Sequence, residues 1–196
     1  MKRNTVIGVL LAAAGAWQSG VASEEVVERQ AAATQAAGHL IKQLGGALKE
    51  EMAKGGPAAA VKVCTQLAPE IAGRISRERG WRVTRVSDKV RNPLLGMPDA
   101  WEQKVLADFR SRAATGEALD QMTYAEVVEE PQGEYFRFMK AIGIKPVCLA
   151  CHGQKDQIAP EILATLEENY PKDQATGYAA GELRGAVSIK QPLAGE

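Results

Sequence analysis

Cys148-Leu149-Ala150-Cys151-His152 has the form C-x-x-C-H, the attachment signature of a c-type haem. Two thiols separated by two residues can reach the two vinyl groups on one edge of a porphyrin. The histidine follows at once, so its imidazole can bind the iron from one face. Other uses of the same residues fit less well. Zinc would need two ligands beyond Cys148 and Cys151, and the chain offers only Cys64, His39 and His152. Adjacent Cys151 and His152 would also share one tetrahedral ion with difficulty. A structural disulfide or a thioredoxin-like dithiol is the remaining alternative.

The motif's position also constrains the fold. About 44 residues follow His152, and Gly185 to Lys190 alternate in the manner of a strand. In small all-helical electron carriers the motif comes early, and in four-helix-bundle cytochromes it lies near the C-terminus. Three further strand patterns precede it: Trp81–Ser87, Ala125–Glu129 and Tyr135–Ile142, the last two joined through Pro131-Gln132-Gly133 as an antiparallel hairpin.

The first half of the chain reads as helical. A long pattern from about Glu24 to Lys54 carries Ala37, Leu40, Ile41, Leu44 and Leu48 as one apolar stripe, with a relaxation expected near Gly45-Gly46. His39 falls opposite that stripe and is expected at the surface. Gly56-Pro57 opens a second helix. Its buried face groups Ala60, Cys64, Leu67, Ala68 and Ile71, with Cys64 near the centre, either as a small packed hydrophobe or as a thiolate aimed at iron. Asp99 caps a helix bearing Trp101, Val105 and Phe109, and Pro160–Tyr170 is a short helix with Ile162, Leu163 and Leu166 inward. Helices first and short strands later predict an α+β fold with long N-terminal helices on a small antiparallel sheet.

At the N-terminus, Lys2 and Arg3, a short apolar run from Val6 to Ala16 and the small residues Val21-Ala22-Ser23 predict a cleavable export signal over residues 1–23. The apolar run is about half the ~20 residues of a membrane span. Residues 24–196 are then one domain, released as a soluble periplasmic protein. Without the signal the balance is 22 basic to 24 acidic residues, a net of −2, which argues against nucleic acid or an anionic membrane as partner.

The chain resembles the single-haem c-type domains with a PAS-like fold, long catalogued as a domain of unknown function. They occur as stand-alone exported proteins and as input domains of membrane sensor kinases. The resemblance spans roughly residues 30–193. It is carried by Ala60-Val61-Lys62-Val63-Cys64 with Ala68-Pro69-Glu70-Ile71-Ala72, and by Arg91-Asn92-Pro93 with Trp101-Glu102. It continues in Cys148-Leu149-Ala150-Cys151-His152-Gly153 and Gly181-Glu182-Leu183-Arg184-Gly185-Ala186-Val187-Ser188. It implies one haem c bound covalently through Cys148 and Cys151, with His152 as proximal ligand and Cys64 as distal ligand in at least the oxidised state. It also implies that the domain reports redox state or a small gas.

The expected function is therefore a haem-based redox or gas sensor or signalling accessory. A thiolate favours Fe(III) and is a weak ligand after reduction, and the emptied position would take CO or NO. With no output segment in the chain, such a sensor acts through a separate partner such as a sensor kinase. The alternative is a periplasmic electron-transfer cytochrome with a redox partner protein. No enzymatic activity is expected, since a peroxidase needs a distal acid–base group and His39 faces away. Were Cys64 not the distal ligand, Met139, in a strand close to the motif, is the best methionine candidate, ahead of Met97 and Met122.

Overall fold

The computed structural model describes residues 15–193, with side-chain surroundings from residue 24 onward. Most of the expected signal, Met1–Ser23, lies outside the described residues. Helix α1 (Gly15–Lys62) is interrupted at Gly55 and Gly56, where Gly56 takes a left-handed φ of 68°. Gly45-Gly46, by contrast, lie in continuous helix. Two glycines alone cost about 1 kcal/mol each in propensity, which packing can offset. At the second pair, Pro57 removes a donor and bars the preceding residue from helical angles, so the chain has to turn.

Beyond that break the helix is not uniform, as a simple 3.6-residue wheel supposes. Val63–Leu67 form one π-helical turn before α2 (Ala68–Arg79) resumes α geometry and ends on Gly80 at φ 69°. Cys64 lies inside the π turn, a form of helix concentrated at functional sites. It is half-buried rather than the centre of a closed face.

The four expected strands are β1 (Arg82–Val86), β2 (Thr123–Glu130), β3 (Gly133–Gly143) and β4 (Leu183–Pro192). They form one antiparallel sheet in the order β1-β4-β3-β2. Between them lie α3 (Pro93–Gly96), α4 (Ala100–Ala114), α5 (Leu149–His152) and α6 (Pro160–Asn169). The architecture is α+β, as the element pattern predicts.

Both faces of the sheet are covered. On one face Phe136, Phe138, Val187 and Ile189 pack against Ala33, Ala36, Ala37 and Leu40 of α1 and Ile71 and Ile75 of α2. The alanines let the helix backbone approach the sheet closely. On the other face Met139, Ala141 and Ala186 meet Val105, Leu106 and Phe109 of α4. The period-2 alternation of β3 assigns each side chain to its face. Met139 is fully buried among the α4 contacts, away from the helices that carry Cys64. That removes it as a candidate ligand: a strand residue near the motif in sequence can still point through the sheet.

The α4 face also holds a buried ion cluster. Asp99 accepts from the Glu102 amide and Glu102 accepts from the Asp99 amide, a reciprocal cap. Glu102, itself inaccessible, takes the Ser188 hydroxyl at 2.6 Å and lies 3.4 Å from Arg137. Arg137 reaches Asp99 at 2.7 Å and stacks on Trp101. Replacing Glu102 by Ala leaves the buried Ser188 hydroxyl without its acceptor and Arg137 with Asp99 and Glu130 alone, and urea unfolding should register a loss of about 1–3 kcal/mol.

Candidate cofactor site

The motif folds as a 3₁₀ turn over Pro146–Cys148 that runs straight into the single turn of α5. Consecutive right-handed turns put Cys148, Cys151 and His152 on one short helical surface. Gly153 closes it, and a Cβ there would stand 2.7 Å from the Leu149 carbonyl. This surface forms one wall of a cavity of about 930 Å³, at the upper end of the roughly 300–1,000 Å³ usual for ligand pockets. The lining also includes α1, the π turn and the start of α2, with Leu44, Leu48, Met52, Val61, Cys64 and Ala68. The floor is β1 and the ends of β3 and β4. Gly185 lies at the floor with φ 152°, and a Cβ there would collide with the Val86 carbonyl. Only glycine permits that approach of β4 to β1.

His152 is fixed from behind. Its Nδ1 lies 2.6 Å from the Ala175 carbonyl, which can only accept, so Nδ1 carries the proton and Nε2 keeps its lone pair. The ring meets Tyr178 edge-on, with centroids 6.2 Å apart, and the Tyr178 amide donates to the His152 carbonyl at 3.0 Å. Burial, with the charges of Arg91 and Arg184 adding to it, pushes the imidazole pKa down to about 3. The ring is therefore neutral at physiological pH, the form in which histidine binds a metal.

Arg91 ties these parts together. Its Nη2 donates to the Cys151 carbonyl at 2.6 Å and to the Ala175 carbonyl at 3.3 Å. Its Nε is 3.0 Å from Asp173 Oδ2, though off the line of a hydrogen bond. One guanidinium thus holds both the motif turn and the carbonyl that orients His152, the outer-shell arrangement that fixes ligating histidines. In sequence Arg91-Asn92-Pro93 reads as turn chemistry and as part of the family resemblance, and neither reading gives Arg91 this role. Asn92 does cap α3, accepting from the Leu94 amide at 3.1 Å.

The structure thus brings Cys64, Cys148, Cys151 and His152 to the lining of one cavity, although Cys64 is 84 residues from Cys148. The three thiols are free. Burial raises the Cys151 pKa, with Arg91 opposing and the other two cysteines adding to it. A thiol held protonated is a poor attacking nucleophile, unlike the reactive cysteine of a dithiol exchanger. Among the described residues no three His, Cys, Asp or Glu side chains converge as a bare metal ion would require. His39 is exposed on α1 and does not line the cavity.

Several lining residues carry no sequence signal of a site. Met52 stands one helical turn beyond Leu48 and so merely extends the apolar stripe. Arg85 lies within the Trp81–Ser87 strand pattern, Arg184 just ahead of the Gly185–Lys190 one, and Tyr170 at the end of α6. Arg184 donates to Ser87 Oγ at 2.7 Å. Burial lowers the pKa of Arg85, with Cys64 and Tyr170 opposing, and pushes that of Tyr170 up to about 12. The charged lining residues are Lys42, Lys49, Arg85, Arg91, Lys145 and Arg184. An apolar cleft with cations, two thiols on one edge, a neutral imidazole and a further thiol suits a flat, apolar, doubly anionic macrocycle carrying a metal.

The chain belongs to the Tll0287-like family, whose sequence model matches residues 17–192. It is similar in structure to a protein described as the cyanobacterial heme-protein Tll0287, with a TM-score of 0.60 and 24% identity. That similarity covers 81% of this chain and 93% of the cyanobacterial one. No curated protein matches the chain.

Two outcomes follow from the His152 anchor. In haem-free protein, NMR should find His152 as the neutral Nδ1–H tautomer at pH 5, well above its pKa of about 3. Its contribution to stability is present above the unfolded value near 6.5 and is lost as pH falls toward 3. Arg91→Met should cost about 3–5 kcal/mol in urea unfolding, because Asp173 is left without its cation and two carbonyls lose a charged donor.

Proposed function

We propose that this chain is an exported c-type cytochrome with one haem, attached through Cys148 and Cys151 and ligated by His152 and Cys64. In this reading its ligation changes with oxidation state, so that it reports redox state or a gas such as CO or NO to a separate partner. One observation carries the reading: Cys64 and His152, 88 residues apart in the sequence, line the same cavity as Cys148 and Cys151. The family supports it, since a structurally similar protein is described as a heme-protein. Bound there, the haem would supply a redox-active iron.

The chain's own contribution differs between the two walls. His152 is anchored by the Ala175 carbonyl and, through it, by Arg91. Cys64 sits on a π turn just after the Gly55-Gly56 break, a segment able to yield. A fixed ligand paired with a yielding one suits a ligand switch better than a carrier, whose ligands should not move. The PAS-like reading draws support from the antiparallel sheet with the C-terminal strand inside it. Export rests on the sequence of residues 1–23. No helix among the described residues is long and apolar enough to cross a membrane. We assign no catalytic activity. The second reading, an electron carrier, is favoured by the exposure of Leu95 and Val147 at the cavity mouth.

Protein made with haem-attachment machinery should keep its haem through acid–acetone extraction and give a two-thioether pyridine haemochrome. Haem that extracts cleanly would refute covalent attachment. Cys64→Ala should raise the reduction potential, abolish the low-spin thiolate signal and leave the haem attached. Wild-type spectra and potential in that variant would make Cys64 a packing residue. CO binding to the ferrous wild type separates a switch, which opens a site, from a carrier, which does not.

A further inference from the structure

All six charged residues lining the cavity are cations, in a chain whose 24 basic and 24 acidic residues balance overall. The inner three are Arg91, held by Asp173, Arg184, held by Ser87, and Arg85. The outer three are different. Lys42, Lys49 and Lys145 are exposed, and their side chains make no hydrogen bond or ion pair among the described residues. Lys42 and Lys49 are seven residues apart, which sets them on one face of α1. The nearby acids do not compensate them: Glu50 and Glu51 both turn to Lys54. A haem's two carboxylates would offset only part of the charge.

Exposed apolar side chains line the same cavity as these lysines. Leu95 on α3 is 54% exposed and Val147 51%, and both line the cavity mouth. Leu94 and Met97 flank Leu95 at 94% and 58%. Exposed apolar groups gathered beside unpaired charges mark an interaction surface. Val147 directly precedes Cys148, so the thioether edge of an attached haem would emerge at this collar.

We propose that the cavity mouth docks an acidic redox protein, with Leu95 and Val147 as the apolar centre and Lys42, Lys49 and Lys145 as the cationic ring. The proposal rests on the haem reading for its purpose, since a redox sensor or a carrier must exchange electrons with another protein. The docking itself follows from charge and exposure. Long-range attraction of an acidic partner would raise the encounter rate and make it fall with salt, while the apolar centre would hold the edges together.

The test uses the full protein with its haem and an acidic flavodoxin as probe. In ¹⁵N-detected titrations, flavodoxin should shift the amides of residues 42–49, 94–97 and 145–147. The second-order rate of reduction by flavodoxin hydroquinone should fall about tenfold or more from low to 0.3 M salt. In Lys42→Glu/Lys49→Glu/Lys145→Glu the shifts should vanish and the salt slope should flatten or invert. In Leu95→Ser/Val147→Ser the rate should drop several-fold with the salt slope kept. Reduction by neutral deazaflavin semiquinone, measured for each protein, gives the intrinsic reactivity of its haem, and the flavodoxin rate taken relative to it separates docking from an altered haem site. An unchanged rate and slope in the triple-glutamate variant, or shifts centred on another face, would overturn the proposal. The pyridine haemochrome of the same sample reports on the haem reading separately: docking shifts in a protein that holds no covalent haem would refute that reading and leave the surface standing.

Discussion

The hydrogen bond from His152 Nδ1 to the Ala175 carbonyl, 2.6 Å long, is the contact on which the site depends. It fixes the tautomer, leaves Nε2 with its lone pair and sets the plane of the ring. It persists only if the Ala175 carbonyl is itself immobile, and Arg91 provides that by gripping Ala175 and Cys151 together. A buried arginine is costly unless paired, and Asp173 supplies the countercharge. The loop after α6 is thereby bound to the loop after β1, and the motif is held between them.

The two walls of the cavity are built on different physics. The motif wall is polar scaffolding: a guanidinium, three carbonyls and a carboxylate hold one turn of helix. The other wall is helix packed on sheet, where alanines at 33, 36 and 37 let α1 lie close. That wall then breaks at Gly55-Gly56 and widens into the π turn bearing Cys64. A device that must hold one ligand and release another would be divided in this way, and two equally rigid walls would suit a carrier better.

The elements were legible in the sequence because each is specified locally. Alternation marked β4, residue propensity and the Pro131-Gln132-Gly133 turn marked the other three strands, and the Asp99 cap and the Pro160 start marked their helices. Proximity across the fold was not legible in the same way. Nothing in the pattern around Arg91 distinguishes a turn residue from the clamp of a site 60 residues away, because its partners are backbone carbonyls without sequence identity. Met139 shows the opposite failure: nearness to the motif along the chain suggested a ligand, and the pleat of β3 sends it to the α4 side. The π turn was invisible too, since a wheel assumes a constant rotation per residue. The C-x-x-C-H run itself was plain because its residues are contiguous.

The account stands or falls on Cys64 and His152 sharing one iron. Iron-edge X-ray absorption on the ferric protein reads the first coordination shell directly. The account predicts five nitrogen scatterers and one sulfur, with the sulfur lost or lengthened on reduction. A shell of nitrogen and oxygen alone in the ferric state would contradict it.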